Sequence, residues 1–185
     1  MQAVKYLWAL RALLYKFIFK RIGFMSYIGP PLFLLGVNKV DIGNKVRIYP
    51  GLRIEVHGDG GNIIIGDNVS IGQHVHITAS GQNLLIGKNT TILGNVFITN
   101  IDHDYKEIGK HIMEQDFLIQ RTQIGENCFI GYGAAIQAGT ILGKQCVIGA
   151  NSVVRGVYPD YCVIVGAPAK VVKRFNKGTN QWERV

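Results

Sequence analysis

The sequence predicts an all-β fold, a parallel β-helix of six-residue repeats in which triangular coils stack into a prism. Three observations predict it. An aliphatic residue recurs every six positions from Ile42 onward. A small or compact residue stands four positions after most of these. The 185 residues include 23 glycines but only 5 prolines, which suits a chain that turns at short, regular intervals and suits helices poorly.

Residues 1–35 are expected to form an N-terminal amphipathic helix and a linker. The run from Tyr6 to Arg21 is apolar, but Arg11 and Lys16 interrupt it well short of the roughly 18 uncharged residues a membrane span needs. No small-residue cleavage site follows, which argues against a signal peptide. On a helical wheel Gln2, Lys5, Ala9, Ala12, Lys16 and Lys20 share one side. Val4, Leu7, Leu14 and Ile18 share the other, with Arg11 breaking the apolar stripe. Two roles fit such a helix: capping the open end of a repeat array, or lying on an anionic membrane surface.

Residues 36–172 carry the repeat. The aliphatic positions fall into five triplets: Ile42, Ile48, Ile54; Ile65, Ile71, Ile77; Ile86, Ile92, Ile98; Ile124, Ile130, Ile136; and Leu142, Ile148, Val154. Their compact companions include Val46, Val69, Val75, Thr90, Cys128, Ala134, Cys146 and Ser152. Side chains two apart on an extended segment point the same way, so both sets can face inward, and each hexad is one short strand plus a turn. Three hexads close a coil. No coil can bury its apolar face without neighbours above and below.

Additions to a solenoid leave at its corners as loops. His57-Gly58-Asp59-Gly60-Gly61 and Ser80-Gly81-Gln82-Asn83 read as minor corner bulges. Between Ile98 and Ile124 lies a much longer insertion, spanning residues 99–120 and opening Asn100-Ile101-Asp102-His103-Asp104-Tyr105. A long loop on a rigid scaffold is where function is expected. Residues 173–185 form a short C-terminal tail.

The 48% hydrophobic content with 17% charge describes one compact folded unit. A net charge of +8 favours anionic partners, yet the basic residues gather at the two ends and are not interleaved with aromatics, so nucleic acid is not expected. Three cysteines in no metal-like spacing suggest a reducing, cytoplasmic setting. Cys128 and Cys146 share a hexad offset one coil apart and are expected to stack as compact core residues.

The Ile-Gly-X-Asn hexads at Ile65, Ile86 and Ile124, the histidine loop after the third triplet, and the closing Gly166-Ala167-Pro168-Ala169-Lys170 together resemble the hexapeptide-repeat acetyltransferases. The resemblance is particularly to the branch of the maltose, galactoside and polysaccharide O-acetyltransferases, and it covers roughly residues 42 to 173. The resemblance implies a left-handed helix, although ordinary parallel crossovers are right-handed. It also implies an acetyl-CoA-dependent O-acetyltransferase that needs no metal and works as a homotrimer with active sites between subunits.

By that resemblance His103 takes the proton from the acceptor hydroxyl, a task that an imidazole titrating near neutrality suits. Asp102 and Asp104 flank it, and either is a candidate to hold its tautomer. A backbone donor for the developing oxyanion is expected near Gly131 and Tyr132, where Tyr132 replaces the small residue usual in the family. Coenzyme contacts are implied for Ala150, Gly166, Ala167, Pro168, Lys170 and Lys173. Arg155-Gly156 stands in place of a familiar Thr-Lys pair, so Arg155 joins that set. His74 and Asn95 share an outward column at matching offsets and, with Asn100 and Tyr105 of the loop, are candidates for the acceptor site. The asparagine usual two places before His74 is Gly72 here. His76 and His111 read as exposed polar residues.

The implied acceptor is a sugar hydroxyl in O-antigen, capsule or exopolysaccharide synthesis, at the inner face of the cytoplasmic membrane if the N-terminal helix binds lipid. An antibiotic or small-sugar acceptor is the alternative. Two other classes use the same helix. A zinc carbonic anhydrase needs three converging histidines, which the spacing of His103 and His111 does not provide. A non-catalytic scaffold has no use for His103.

Overall fold

The computed structural model describes residues 2–185, with side chains from Val4 onward. After an α-helix, Gln2–Tyr15, the chain winds as a left-handed parallel β-helix of about 6 turns. Short parallel strands build three faces. The first runs Arg21–Ile22, Val40–Ile42, Ile63–Ile65, Leu84–Ile86, Gln123–Ile124, Ile141–Leu142 and Val157–Tyr158. The second starts at Tyr27–Ile28 and the third at Phe33–Leu35, and each gains a strand with every coil.

The six-residue period is the cause of this register. Ile42 pairs with Ile65, Ile65 with Ile86, Ile86 with Ile124 and Ile124 with Leu142, so the inward ladder on the first face is one apolar column. The matching ladders through Ile48, Ile71 and Ile92, and through Ile54, Ile77 and Ile98, are equally sealed from solvent. Each such side chain contributes about 1.5–3 kcal/mol by burial.

The Ile-Gly-X-Asn signature has a geometric reason. Asn68, Asn89 and Asn127 turn the first corner, between the first and second faces, at φ near +58°, a left-handed conformation asparagine tolerates. The glycine before each turn lies against the next coil: a Cβ on Gly66 would sit 2.7 Å from the Lys88 nitrogen. Inward polar residues close the corners from inside. Ser26 Oγ donates to the Gly43 carbonyl at 2.8 Å, and Thr90 Oγ1 to that of Gly125 at 3.0 Å. Cys128, Cys146 and Cys162 are buried and free, in successive coils, so the expected stack of two sulfurs is a column of three.

The expected linker after the helix is itself a coil. Ile22, Ile28 and Leu34 pair with Ile42, Ile48 and Ile54, so the solenoid begins at Arg21 and not near residue 36. The C-terminal boundary moves too. Cys162–Gly166 is the last parallel strand of the second face, the chain reverses at Ala167-Pro168, Ala169–Asn176 adds antiparallel to it, and Gln181–Arg184 pairs antiparallel with Ala169–Asn176 in turn. The expected tail is therefore part of the sheet.

The N-terminal helix covers the open end of the first coil. Trp8 packs against Tyr27 and Tyr49 with ring centroids 5.9 and 6.0 Å away. Arg11 donates from Nη1 to the Ile28 carbonyl at 3.2 Å. The arginine that seemed to break an apolar stripe thus points into the solenoid and satisfies an end carbonyl, which is the capping role.

Candidate active site

The long insertion leaves the third face after Phe97–Thr99 and returns to the first face at Gln123. It is ordered by a two-stranded antiparallel ribbon, Ile101–His103 with Phe117–Ile119, in which His103 lies opposite Phe117. Asn100 fixes its base. Its Oδ1 accepts from the Ser80 amide at 2.9 Å, and its Nδ2 donates to the Ser80 and Gln82 carbonyls, both at 3.0 Å. Asn100 is 0% exposed. The expectation that it contacts the acceptor is corrected: its polar atoms are committed to anchoring the loop.

Farther out, Gln115 staples the loop from within, bonding the amide of Glu107 and the carbonyls of Glu107 and Lys110. Asp104 Oδ1 accepts from the amides of Tyr105 and Lys106 at 2.8 and 3.1 Å, a local turn. Asp102 Oδ2 accepts from Nη2 of Arg155, a residue of the sixth coil. Neither aspartate bonds His103 in this chain, and each has a different task.

His103 stands edge-on to Phe117 with ring centroids 4.9 Å apart. Its Nδ1 is buried and has no hydrogen-bond partner among the described residues. A sealed ring nitrogen without a partner costs about 1–3 kcal/mol, which marks a position kept for another purpose. The accessible nitrogen is then Nε2. The imidazole opens on a depression of about 390 Å³ lined by Asp102, His103, Tyr105, Lys106, Leu118, Gln120 and Arg155. Tyr105 is exposed there, where an incoming molecule can meet it. Arg155 is not a free cation for a coenzyme: it pairs with Asp102 and donates from Nε to the Ala138 carbonyl at 3.1 Å.

Sequence reasoning missed a cluster beside this loop. Glu55, 7% exposed on the third face, accepts from Arg53 Nε and lies 3.1 Å from both His57 Nε2 and His76 Nε2. Phe117 fills the space between His57 and His103. Burial alone would raise the Glu55 pKa, but the hydrogen bond and charge of Arg53 outweigh it and hold the carboxyl below its ordinary range. Burial and the charge of Arg53 lower the pKa of His76. In the sequence His57 reads as part of a corner bulge and His76 as an exposed polar residue. The signal lay in alternation, since residues 53, 55 and 57 share one side of an extended strand.

The corner between the second and third faces carries the other expected residues. His74 and Asn95 occupy left-handed turn positions in consecutive coils, at φ 54° and 58°, so their shared column is present. Asn95 Nδ2 donates to the hydroxyl of Tyr132, whose ring lies over Gly94. Ala150 follows one coil on, where Asn151 donates to the Tyr132 carbonyl at 2.8 Å. Gly166 then donates to Ser152 Oγ at 3.0 Å. Tyr132, Ala150 and the Gly166-Ala167-Pro168 turn therefore form one exposed line of mostly small residues. Lys170 and Lys173 are exposed on the adjoining reversed strand.

The oxyanion donor is expected from the backbone near Gly131 and Tyr132, and of these Gly131 has its amide already committed. Its amide is used in the ladder, donating to the Ile148 carbonyl at 2.9 Å. Its lack of a side chain serves packing, because a Cβ there would lie 2.6 Å from the Ala150 nitrogen. This corner and His103 flank opposite edges of the third face, so one chain does not bring them together.

A family model described as bacterial transferase hexapeptide (six repeats) matches residues 121–156. The chain is 34% identical over 161 residues to the putative lipopolysaccharide biosynthesis O-acetyl transferase WbbJ of Escherichia coli strain K12, covering 83% of this chain and 81% of that one. It is 26% identical to the galactoside O-acetyltransferase of the same strain, covering 90% and 69%. Among solved structures it superposes on AntD, an N-acyltransferase from Bacillus cereus in complex with dTDP-4-amino-4,6-dideoxyglucose and coenzyme A. The TM-score is 0.71 at 16% identity, covering 91% and 90% of the two chains, a likeness of fold.

Proposed function

Since the chain belongs to the hexapeptide-repeat acetyltransferase family and is an acyltransferase, we propose that it moves an acetyl group from acetyl-CoA to a sugar hydroxyl with His103 as the base. The acceptor we infer is a precursor of a surface polysaccharide such as a lipopolysaccharide O-antigen, supported by the 34% identity to WbbJ. The observation that carries the chemistry is His103 itself, on a braced ribbon with Nδ1 sealed off and the ring open to a depression.

His103 Nε2 accepts the proton of the sugar hydroxyl as that oxygen attacks the thioester carbonyl carbon. The carbon–sulfur bond then breaks, and the imidazolium returns its proton to the departing thiolate. Asp102, clamped by Arg155, fixes the backbone on which His103 sits. Ala150 and the Gly166–Pro168 turn offer a path of small residues for close approach of the coenzyme, and Lys170 and Lys173 supply cations for its phosphates.

Because His103 and this path lie on opposite edges of the third face, we place the working site between two subunits of a trimer, each lending one half. The test is acetyl-CoA turnover by wild type and His103→Ala against sugars, sugar nucleotides and lipid-linked glycans, with folding and mass in solution measured alongside. A fall of about 10²–10⁴-fold in kcat in a folded assembly supports the assignment. Equal turnover by the two proteins would refute it.

A further inference from the structure

The N-terminal helix is amphipathic the wrong way round for a helix that only packs on a core. Its inward side carries Lys5 over the Tyr27 ring, Trp8, Arg11 on the Ile28 carbonyl, and Ala12. Its outward side carries Tyr6, Leu7, Leu10, Leu13 and Leu14, and Phe17 continues the line in the turn that follows the helix, all exposed, from 54% at Leu10 to 89% at Phe17. Those positions follow the spacing of one helical stripe. The stripe continues onto the first coil, because Leu13 and Lys16 line a groove of about 180 Å³ together with Phe24 and Met25. Phe24 and Met25 are also exposed, at 73% and 65%. A continuous apolar surface of this kind has a partner.

Charge identifies the partner. Residues 1–53 contain nine lysines and arginines and a single acidic residue, Asp41. Lys16 lines that groove, and Lys45, whose amide donates to the Phe24 carbonyl, is exposed beside it. A second copy meeting this end face to face would set two basic surfaces against each other, which like charges oppose. A negatively charged lipid surface complements both features, taking the apolar stripe into the acyl boundary and the lysines at the headgroups. Among the described residues no helix is long and apolar enough to cross a membrane, so the geometry is that of a helix lying in the interface.

We propose that the N-terminal end of the prism docks on an anionic phospholipid bilayer through the outward face of the helix Gln2–Tyr15 and the first corner of the first coil. The inference stands independently of the chemistry at His103. Docking of this kind places the solenoid axis steeply to the membrane plane and brings a soluble acyltransferase to acceptors held there by a lipid tail.

The test uses the full-length protein and sedimentation with vesicles of phosphatidylcholine alone or with one-third phosphatidylglycerol. Binding is expected to the anionic vesicles, weakening as salt is raised. Leu10→Gln with Phe17→Gln should lower that binding by at least about tenfold while leaving thermal unfolding in place, since both side chains point to solvent. Lys16→Gln with Lys45→Gln should reduce the preference for anionic vesicles. No vesicle binding by wild type, or undiminished binding by the Leu10/Phe17 variant, overturns the proposal. So does a larger assembly in solution that this variant dissolves, which would make a second copy the occupant. His103→Ala must still bind vesicles, and the Leu10/Phe17 variant must still turn over a soluble acceptor, so failure here is distinguishable from failure of the active-site reading.

Discussion

Arg155, in the sixth coil, reaches back 53 residues to pair with Asp102, the neighbour of His103. The guanidinium also holds the Ala138 carbonyl, so a residue of the rigid prism clamps the ribbon that carries the imidazole.

Both partners of that pair are half exposed, so its worth in stability is small, about 0–1 kcal/mol. Its worth in positioning is larger. Arg155→Ala should lower kcat about tenfold with little change in KM for acetyl-CoA and a nearly constant Tm, and Arg155→Lys should recover part of the loss. Steady-state kinetics decide the point. A raised KM for acetyl-CoA at constant kcat would instead make Arg155 a ligand for coenzyme phosphate.

Asn100→Ala should strand the Ser80 amide and the Gln82 carbonyl, while the Ser80 carbonyl keeps the Gln82 amide. The expected loss is about 2–4 kcal/mol, seen as a lower Tm, with protease nicking inside residues 104–116 appearing before global unfolding. Resistance to nicking equal to wild type would show that the ribbon alone holds the loop.

Acid should loosen the third face in two stages. His76 and Glu55 both have pKa values lowered by folding, so the unfolded chain binds more protons than the folded one, and stability falls as pH falls. The His76 contribution is intact above about pH 6.5 and declines below it, and that of Glu55 is intact above about pH 4.5 and declines below it. Tm measured from pH 8 to 3 should drop in both windows. His76→Gln should flatten the first window and Glu55→Gln the second. An unchanged profile in either variant would assign the acid sensitivity elsewhere.

Gly131→Ala forces a methyl group to within 2.6 Å of the Ala150 nitrogen, a backbone atom of the next coil with no room to retreat. The coils should part at that corner, at a cost of about 1–3 kcal/mol. In the folded fraction, binding of acetyl-CoA should weaken while the His103 loop is undisturbed, which calorimetric titration with the coenzyme will show.

The prism was legible because one rule, an inward aliphatic every six residues, is repeated along the chain and corrects its own errors. The same rule runs through Ile22, Ile28 and Leu34, yet an apolar run with basic interruptions drew attention to helix formation and hid the first coil. His103 was legible from its place in the long insertion. Its surroundings were not, since the bond between Asp102 and Arg155 depends on how far the ribbon folds back over the corner. Glu55 meets His76 through a neighbouring coil, a contact that exists only once strand register is known. That the Gly131 amide is given to the Ile148 carbonyl likewise follows only from strand register.

The reversal at Ala167-Pro168 has a consequence for how such chains behave in a crowded solution. A parallel solenoid is in principle open-ended, since its last coil offers the same template as every coil before it and invites another copy to continue the stack. On the second face Ala169–Asn176 runs against that direction and Gln181–Arg184 is added along its free edge, so a hairpin, and not the bare edge of a coil, covers that face's last solenoid strand. At the other end the helix lies across the first coil. The helix and the added hairpin thus each lie over part of an edge where the building rule, which has no natural stopping point, would otherwise present a bare template.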